Sequence, residues 1–223
     1  MRRLALLFVM ALLATGCTTT RTPTPDTVKE LIAQSVATVK KFDKTEKIKR
    51  YREYMEGAAG VMVLPAVLKV SWVGGAEAGD GVLMKRKPGG GWTDPTFHTL
   101  VAGSVGLQIG VQDTAIILIL RSEKAVNSVI RHQGKFGADI GAAAVFTGIG
   151  AEASTTSNLG ADIVAIAQPN IGAYIGGSLE GAGMVTRRDY NEIVYGEGAT
   201  PDAILAGGFQ TGLADALKQV LDP

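Results

Sequence analysis

From Gly60 onward the chain abandons the helical period for short apolar runs broken by glycine, and this restricts the fold more than any other feature. Residues 61–64 are apolar and meet Pro65, which has no N–H to give to a ladder, so the run reads as a buried strand ending there. Residues 68–77 and 80–86 read as a strand pair with glycine at the turn, and 87–91 as a loop. The clearest strand spans 101–112. Val101, Gly103, Val105, Leu107, Ile109 and Val111 alternate with Ala102, Ser104, Gly106, Gln108, Gly110 and Gln112, giving one apolar and one small-polar face. Residues 114–120 are continuously apolar and are expected centrally in a sheet, and 135–155, 161–167, 171–177 and 178–186 return to glycine-punctuated strands.

Helices flank this run. Val28, Leu31, Ile32, Ser35, Val36, Val39 and Phe42 form one stripe at helical spacing, with Asp26 or Thr27 available as a cap. A second helical stretch, about 43–57, is rich in lysine and arginine. Ser122 caps a helix carrying Ala125, Val126, Val129 and Ile130, and 189–195 and 202–220 close the chain as helices, the second broken near Gly207-Gly208. Helices, about eight adjacent strands, then helices give an α+β fold. Its sheet is expected to be largely antiparallel and strongly curved, or a partly closed β-barrel, flanked by N- and C-terminal helices.

The first residues concern location. Arg2 and Arg3 precede an apolar run at 4–13, and Ala14-Thr15-Gly16-Cys17 closes it, which reads as a secretory signal too short to span a bilayer. The small residue before a lone Cys resembles the lipobox of bacterial lipoproteins, with Ala14 where Leu is usual. The expected organisation is a signal peptide over 1–16, a lipidated Cys17 with a flexible tether over 17–26, and one domain over 27–223. Each buried methylene contributes about 0.8 kcal/mol, so two or three chains on Cys17 would hold the protein on its membrane. By resemblance to sorting rules, Thr18 rather than Asp after the Cys favours the outer membrane.

Cys17 is the only cysteine, so no intrachain disulfide forms. The 22 basic side chains, two of them Arg2 and Arg3, face 21 acidic ones, which argues against a dedicated nucleic-acid binder. Lys40, Lys41, Lys44, Lys47, Lys49, Arg50 and Arg52 are candidate contacts to anionic headgroups; equally, they can be solvated charges on a helix that covers the sheet. Gly103, Gly106, Gly110, Gly172, Gly176 and Gly177 would leave a shallow groove for an acyl chain, or room for a packed helix.

Signals for chemistry are weak, and no catalytic residue, metal site or cofactor is expected. His98 and His132, read as a strand edge and a helix end, lack metal-ligand spacing. Asp139, Asp162 and Glu180 could converge as paired carboxylates or serve as strand-end caps and ion-pair partners. The stretch 148–153 lies between β-type segments with no helix after it, unlike a dinucleotide loop.

Several segments in register resemble the SYLF family. They are Gly60-Val61-Met62-Val63-Leu64-Pro65, Gly74-Gly75, Gly79-Asp80-Gly81-Val82-Leu83-Met84 and Gly91-Trp92-Thr93-Asp94-Pro95-Thr96-Phe97. The stretch from Gly103 to Gln112, Phe136-Gly137-Ala138-Asp139 and the stretch from Tyr174 to Gly181 follow, and Arg188, Asn191, Tyr195-Gly196 and Pro201-Asp202-Ala203-Ile204-Leu205 complete the set. The resemblance implies a membrane-lipid binding module with no reaction, phosphoinositides being ligands of eukaryotic members and actin a partner of some. Two departures stand out: Val145-Phe146-Thr147-Gly148-Ile149 replaces Gly-Pro-Val-Gly-Arg, and an acid follows the strand glutamine at once, as Asp113. The expected function is therefore a lipid-anchored envelope protein that binds phospholipid or another amphiphile. The alternative is a tethered adaptor that docks an envelope protein partner.

Overall fold

The computed structural model describes residues 22–46, 48, 51–71, 74–105, 110–131, 145–147, 162–171 and 182–222. Helix α1 (Pro25–Asp43) begins two residues earlier than a cap at Asp26 would set it, and three earlier than one at Thr27, because Thr24 takes the cap and Pro25 fills the first helical position. Its Thr24 Oγ1 accepts from Thr27 N, and the Thr27 hydroxyl accepts from Thr24 N in return. The stripe read from sequence is the buried face: Val28, Leu31, Ile32, Ser35, Val39 and Phe42 are all buried. The expected helix over 43–57 shrinks to α2 (Tyr51–Met55), preceded by a turn in which Thr45 N bonds Phe42 O and Ile48 N bonds Thr45 O.

Seven strands form one open sheet in the order β5-β6-β4-β1-β2-β3-β7. They are β1 (Gly60–Ser71), β2 (Gly74–Lys85), β3 (Thr96–Val105), β4 (Gly110–Leu120), β5 (Val145–Thr147), β6 (Ile163–Ile171) and β7 (Gly183–Thr186). All neighbours are antiparallel except β5 with β6. The fold is α+β, and the edges carried by β5 and β7 leave the sheet open rather than closed as a barrel.

Pro65 does not end its strand. β1 passes through it on a bulge, where the register slips between Val63 and Leu68 against β2 and between Leu64 and Val67 against β4. A bulge excuses the missing N–H, so the strand continues. Gly79 is consequently inside β2 and not at a turn: a Cβ there would run into Ala66 O and the Val67 backbone, so the bulge packs where a side chain would stand. The strand expected over 101–112 is two strands, since residues up to 105 pair with β2 and those from 110 pair with β1.

Both faces of the sheet carry core. Val61, Val63, Val82, Met84, Phe97, Ile117, Ile119 and Ile166 pack with α1, α2, α4 (Arg188–Tyr195) and α6 (Asp215–Leu221). Met62, Leu64, Leu83, Leu100, Ile116, Leu118 and Ala165 pack with α3 (Glu123–Arg131) and with Leu205 of α5 (Pro201–Leu205). Ser122 caps α3 through Ala125 N and donates its hydroxyl proton to Asp162, which is thereby a strand-end partner. Gly207, at φ 87°, adopts the left-handed conformation just after α5, and a 3₁₀ turn (Gly212–Ala214) leads into α6.

Asn191 of α4 ties helix to sheet. Its buried Oδ1 accepts from Thr96 Oγ1 and Phe97 N, each at 3.1 Å. His98 is not on a strand edge; it pairs with Gly81 of β2 and Thr186 of β7 and is fully buried. Burial pushes its imidazole down to about 3, so the folded protein holds it neutral. A depressed histidine gives stability that is complete above its ordinary value of 6.5 and lost as pH falls from there towards 3. Urea unfolding should therefore show stability falling across that window, with a shallower fall in His98→Gln.

Candidate functional site

β1 and β2 each run for 12 residues, about 40 Å at ~3.3 Å per residue. α1 covers only the half that holds Val61, Val63, Val82 and Met84. Beyond the bulge the same face continues. Leu68 lies opposite Ala78, and Val70 lies between Ala76 and Val111. Ala78 faces Val101 across the next pair, and Asp113 lies between Leu68 and Ile171. Period-2 alternation puts all of these on the α1 side.

That half-face is open. Leu68 is 49% exposed, Val70 51%, Val111 59% and Ile171 66%. Gly103 belongs to it through Ala76, and a Cβ there would meet nothing within 4 Å. The reverse side of the same strands is polar, with a Lys69–Glu77 ion pair at 2.6 Å and Gln112. Single exposed apolar residues are ordinary, but a patch continuous over neighbouring strands marks an interaction surface.

Two cavities flank α1 at the border of this patch. One, of about 290 Å³, is lined by Glu30, Leu31, Asp80 and Tyr190; the other, of about 320 Å³, by Thr38, Lys41, Asp113 and Asn170. Gln34, Pro65 and Ala66 line both, so together they make a trough along the helix and over the bulge. At the first end, Arg187 Nη1 donates to both oxygens of Asp80 at 2.9 and 2.8 Å, and Tyr190 Oη donates to Asp80 at 3.0 Å. Arg187 also donates to both oxygens of Asp189, and its guanidinium lies 3.6 Å from the Tyr190 ring centre. Burial alone would weaken the guanidinium's hold on its proton, but the Asp189 and Asp80 carboxylates outweigh it and raise its pKa further. Its bond to Arg187 in turn holds the Asp189 carboxyl below the usual range. At the other end, Lys41 Nζ donates to Asn170 Oδ1 at 2.9 Å, and Asn170 Nδ2 donates to Pro65 O at 3.0 Å.

The basic residues expected to meet headgroups divide. Arg52 bonds both oxygens of Asp43 and the carbonyls of Val220 and Leu221, so it fastens α1 to the last turn of α6. Burial would raise the Asp43 carboxyl, but hydrogen bonds from Arg52 and Tyr51 bring it below the usual range. Burial and the bond to Asp43 push the Tyr51 phenol up. Lys40 and Lys44 are exposed near the end of α1, and Lys41 lines the trough. Lys47, Lys49, Arg50 and Cys17 lie outside the described residues. So do Asp139, Glu180, His132, the 148–153 stretch, Gly106, Gly172, Gly176 and Gly177. Gly110 is open but pairs with Ser71 on the polar side.

Sequence reasoning missed Leu68, Val70, Val111 and Ile171 as site residues. The odd-numbered apolar set of the 101–112 alternation was the available signal. It marks a face, and covered or open depends on how far α1 reaches. Among the described residues no helix is long and apolar enough to cross a membrane, and no group of three or more His, Cys, Asp or Glu could hold a metal ion.

A model of the Ysc84 family, described as "Las17-binding protein actin regulator", matches residues 101–223. The chain belongs to the Ysc84 family. Its residues are 29% identical to Protein YSC84 of Saccharomyces cerevisiae over 171 residues, covering 75% of this chain and 36% of that protein. They are 27% identical to LAS seventeen-binding protein 3 of the same yeast over 173 residues, 76% of this chain and 38% of the other. A Xenopus laevis relative, SH3 domain-containing YSC84-like protein 1, is 28% identical over 63% of this chain and 42% of its own length. The chain thus spans well under half the length of these relatives. The motifs that resemble the SYLF family are those of a true member.

Two consequences are measurable. Leu68→Ser with Val111→Ser should change unfolding free energy by no more than about 0.5 kcal/mol each while markedly lowering the fluorescence of a bound apolar dye. Arg52→Ala should cost about 1–3 kcal/mol through its lost charged hydrogen bonds, whereas Lys44→Ala is expected to be neutral by the same denaturant titration.

Proposed function

We propose that this family member is a lipid-anchored envelope protein whose folded domain binds phospholipid without catalysing a reaction. One observation carries the reading: an exposed apolar half-face that runs over β4, β1, β2 and β3, with Ile171 of β6 on the far side of Asp113, beside a trough along α1. Such a face suits acyl chains, which need area and no particular hydrogen bond. Lys40, Lys41 and Lys44 bring positive charge to the same end of α1, each worth about 1 kcal/mol near an anionic surface. The leader over 1–16 and the acylated Cys17 belong to the proposal. They would keep the domain at an envelope membrane, by our reading the outer one, on a tether that reaches up to roughly 30 Å from the lipid.

A tethered adaptor is the second reading, supported by the family description, which names a protein partner for its relatives. Vesicle flotation of Cys17→Ser protein without the leader separates the two. The lipid reading expects flotation with anionic vesicles that persists in part at high salt, because the apolar contribution is not screened, and that is lost in Leu68→Asp/Val111→Asp. Absence of flotation with every lipid mixture, together with a cross-link from a photoreactive residue at position 111 to an envelope protein, would establish the adaptor instead.

A further inference from the structure

Two carboxylates stand on the α1 side of the sheet along the trough, and their surroundings differ. Asp80 is saturated by Arg187, by the Tyr190 hydroxyl and by Thr99. Asp113 stands on β4 between two exposed apolar residues, Leu68 on one neighbouring strand and Ile171 on the other. Its Oδ1 is buried with no hydrogen-bond partner among the described residues. The side chain lines the cavity of about 320 Å³ that Lys41 and Asn170 also line. Lys41 spends its contact on the amide oxygen of Asn170. A carboxylate oxygen withdrawn from water and given no donor is destabilising, and a ligand that supplies a donor relieves it.

Resting on the lipid reading above, we propose that Asp113 accepts the primary ammonium of an ethanolamine phospholipid, with Lys41 placed for the phosphate and the acyl chains on Leu68, Val111 and Ile171. A primary ammonium offers three N–H donors, whereas the trimethylated ammonium of choline offers none. The site therefore discriminates by hydrogen bonding and not by charge, since both headgroups carry the same formal charge. A carboxylate set into an apolar face, with a cation lining the same cavity, offers one partner to each chemical class in such a lipid: ammonium, phosphate and hydrocarbon.

The test is flotation of the leaderless Cys17→Ser protein with vesicles at a fixed anionic fraction, the remainder being phosphatidylethanolamine, its mono- and dimethylated forms, or phosphatidylcholine. The expected result is binding roughly tenfold tighter to the ethanolamine lipid than to the choline lipid, falling stepwise with methylation. Asp113→Asn, a near-isosteric change whose fold is checked by circular dichroism, should bring that ratio close to one. Equal binding to the two lipids by the unaltered protein overturns the headgroup assignment and leaves the lipid reading standing. A proportional loss to both lipids in Asp113→Asn, with the ratio kept, overturns it as well. Failure to float with any vesicle removes the lipid reading and this assignment together.

Discussion

The docking of α1 across one half of a long sheet decides which residues are core and which are surface. On the α1 side β1 and β4 present apolar residues in both halves, Val61, Val63, Ile117 and Ile119 in one and Leu68, Val70 and Val111 in the other, so residue type on that side does not separate core from surface. The separation comes from the helix. Where Val28, Leu31, Ile32, Val39 and Phe42 press on the sheet, Val63, Val82 and Ile117 are wholly buried; past the bulge, residues of the same type and facing are half exposed. The position of α1 is fixed by specific contacts. Arg52 binds Asp43 and the carbonyls of Val220 and Leu221, and a Phe42–Tyr51 edge contact at 5.9 Å braces the same corner.

The bulge at Pro65 and Ala66 lies at the border of the two halves. It shifts β1 by one residue against both neighbours, which is what returns Leu68 and Val70 to the α1 side. Without it those residues would exchange faces with Lys69, and the open half would present charge in place of hydrocarbon. Gly79 permits this by leaving room for the bulged backbone. The Asp80–Arg187–Tyr190 cluster closes one end of the trough with its charges satisfied, while Oδ1 of Asp113 at the other end has no hydrogen-bond partner among the described residues. Apolar area and an unsatisfied carboxylate oxygen thus sit side by side.

Much of this was legible from residue order. Helix stripes, the central position of 114–120, the loop at 87–91 and the break at Gly207 all follow from local rules, because period, proline and glycine act within a few residues. Pro65 and Gly79 were misread for one shared reason: each looks like punctuation alone, and only the pairing of β1 with β2 shows that the glycine accommodates the bulge around the proline. The alternation over 101–112 keeps its odd-even phase in the described residues at both ends, but 101–105 belongs to β3 and 110–112 to β4, two strands separated by β1 and β2, and period alone does not show that division. Arg52 was indistinguishable in sequence from Lys40 or Lys44; its role depends on carbonyls about 170 residues away. Coverage of a face is a tertiary property, and the open half-sheet could not be seen without α1 in place.

The open apolar half-face argues for a surface that meets a partner, and membrane lipid is the occupant we propose, from the charge at its rim and the proposed anchor. Depth in a bilayer tests this most directly. In the Cys17→Ser background a single cysteine can be introduced at Val111 or at its neighbour Gln112, spin-labelled, and its accessibility to oxygen and to a water-soluble nickel relaxant compared on vesicles. The account requires the label at 111 to move into the oxygen-rich hydrocarbon while the label at 112, on the reverse side, stays in water. Equal water accessibility at both positions on vesicle-bound protein would contradict it.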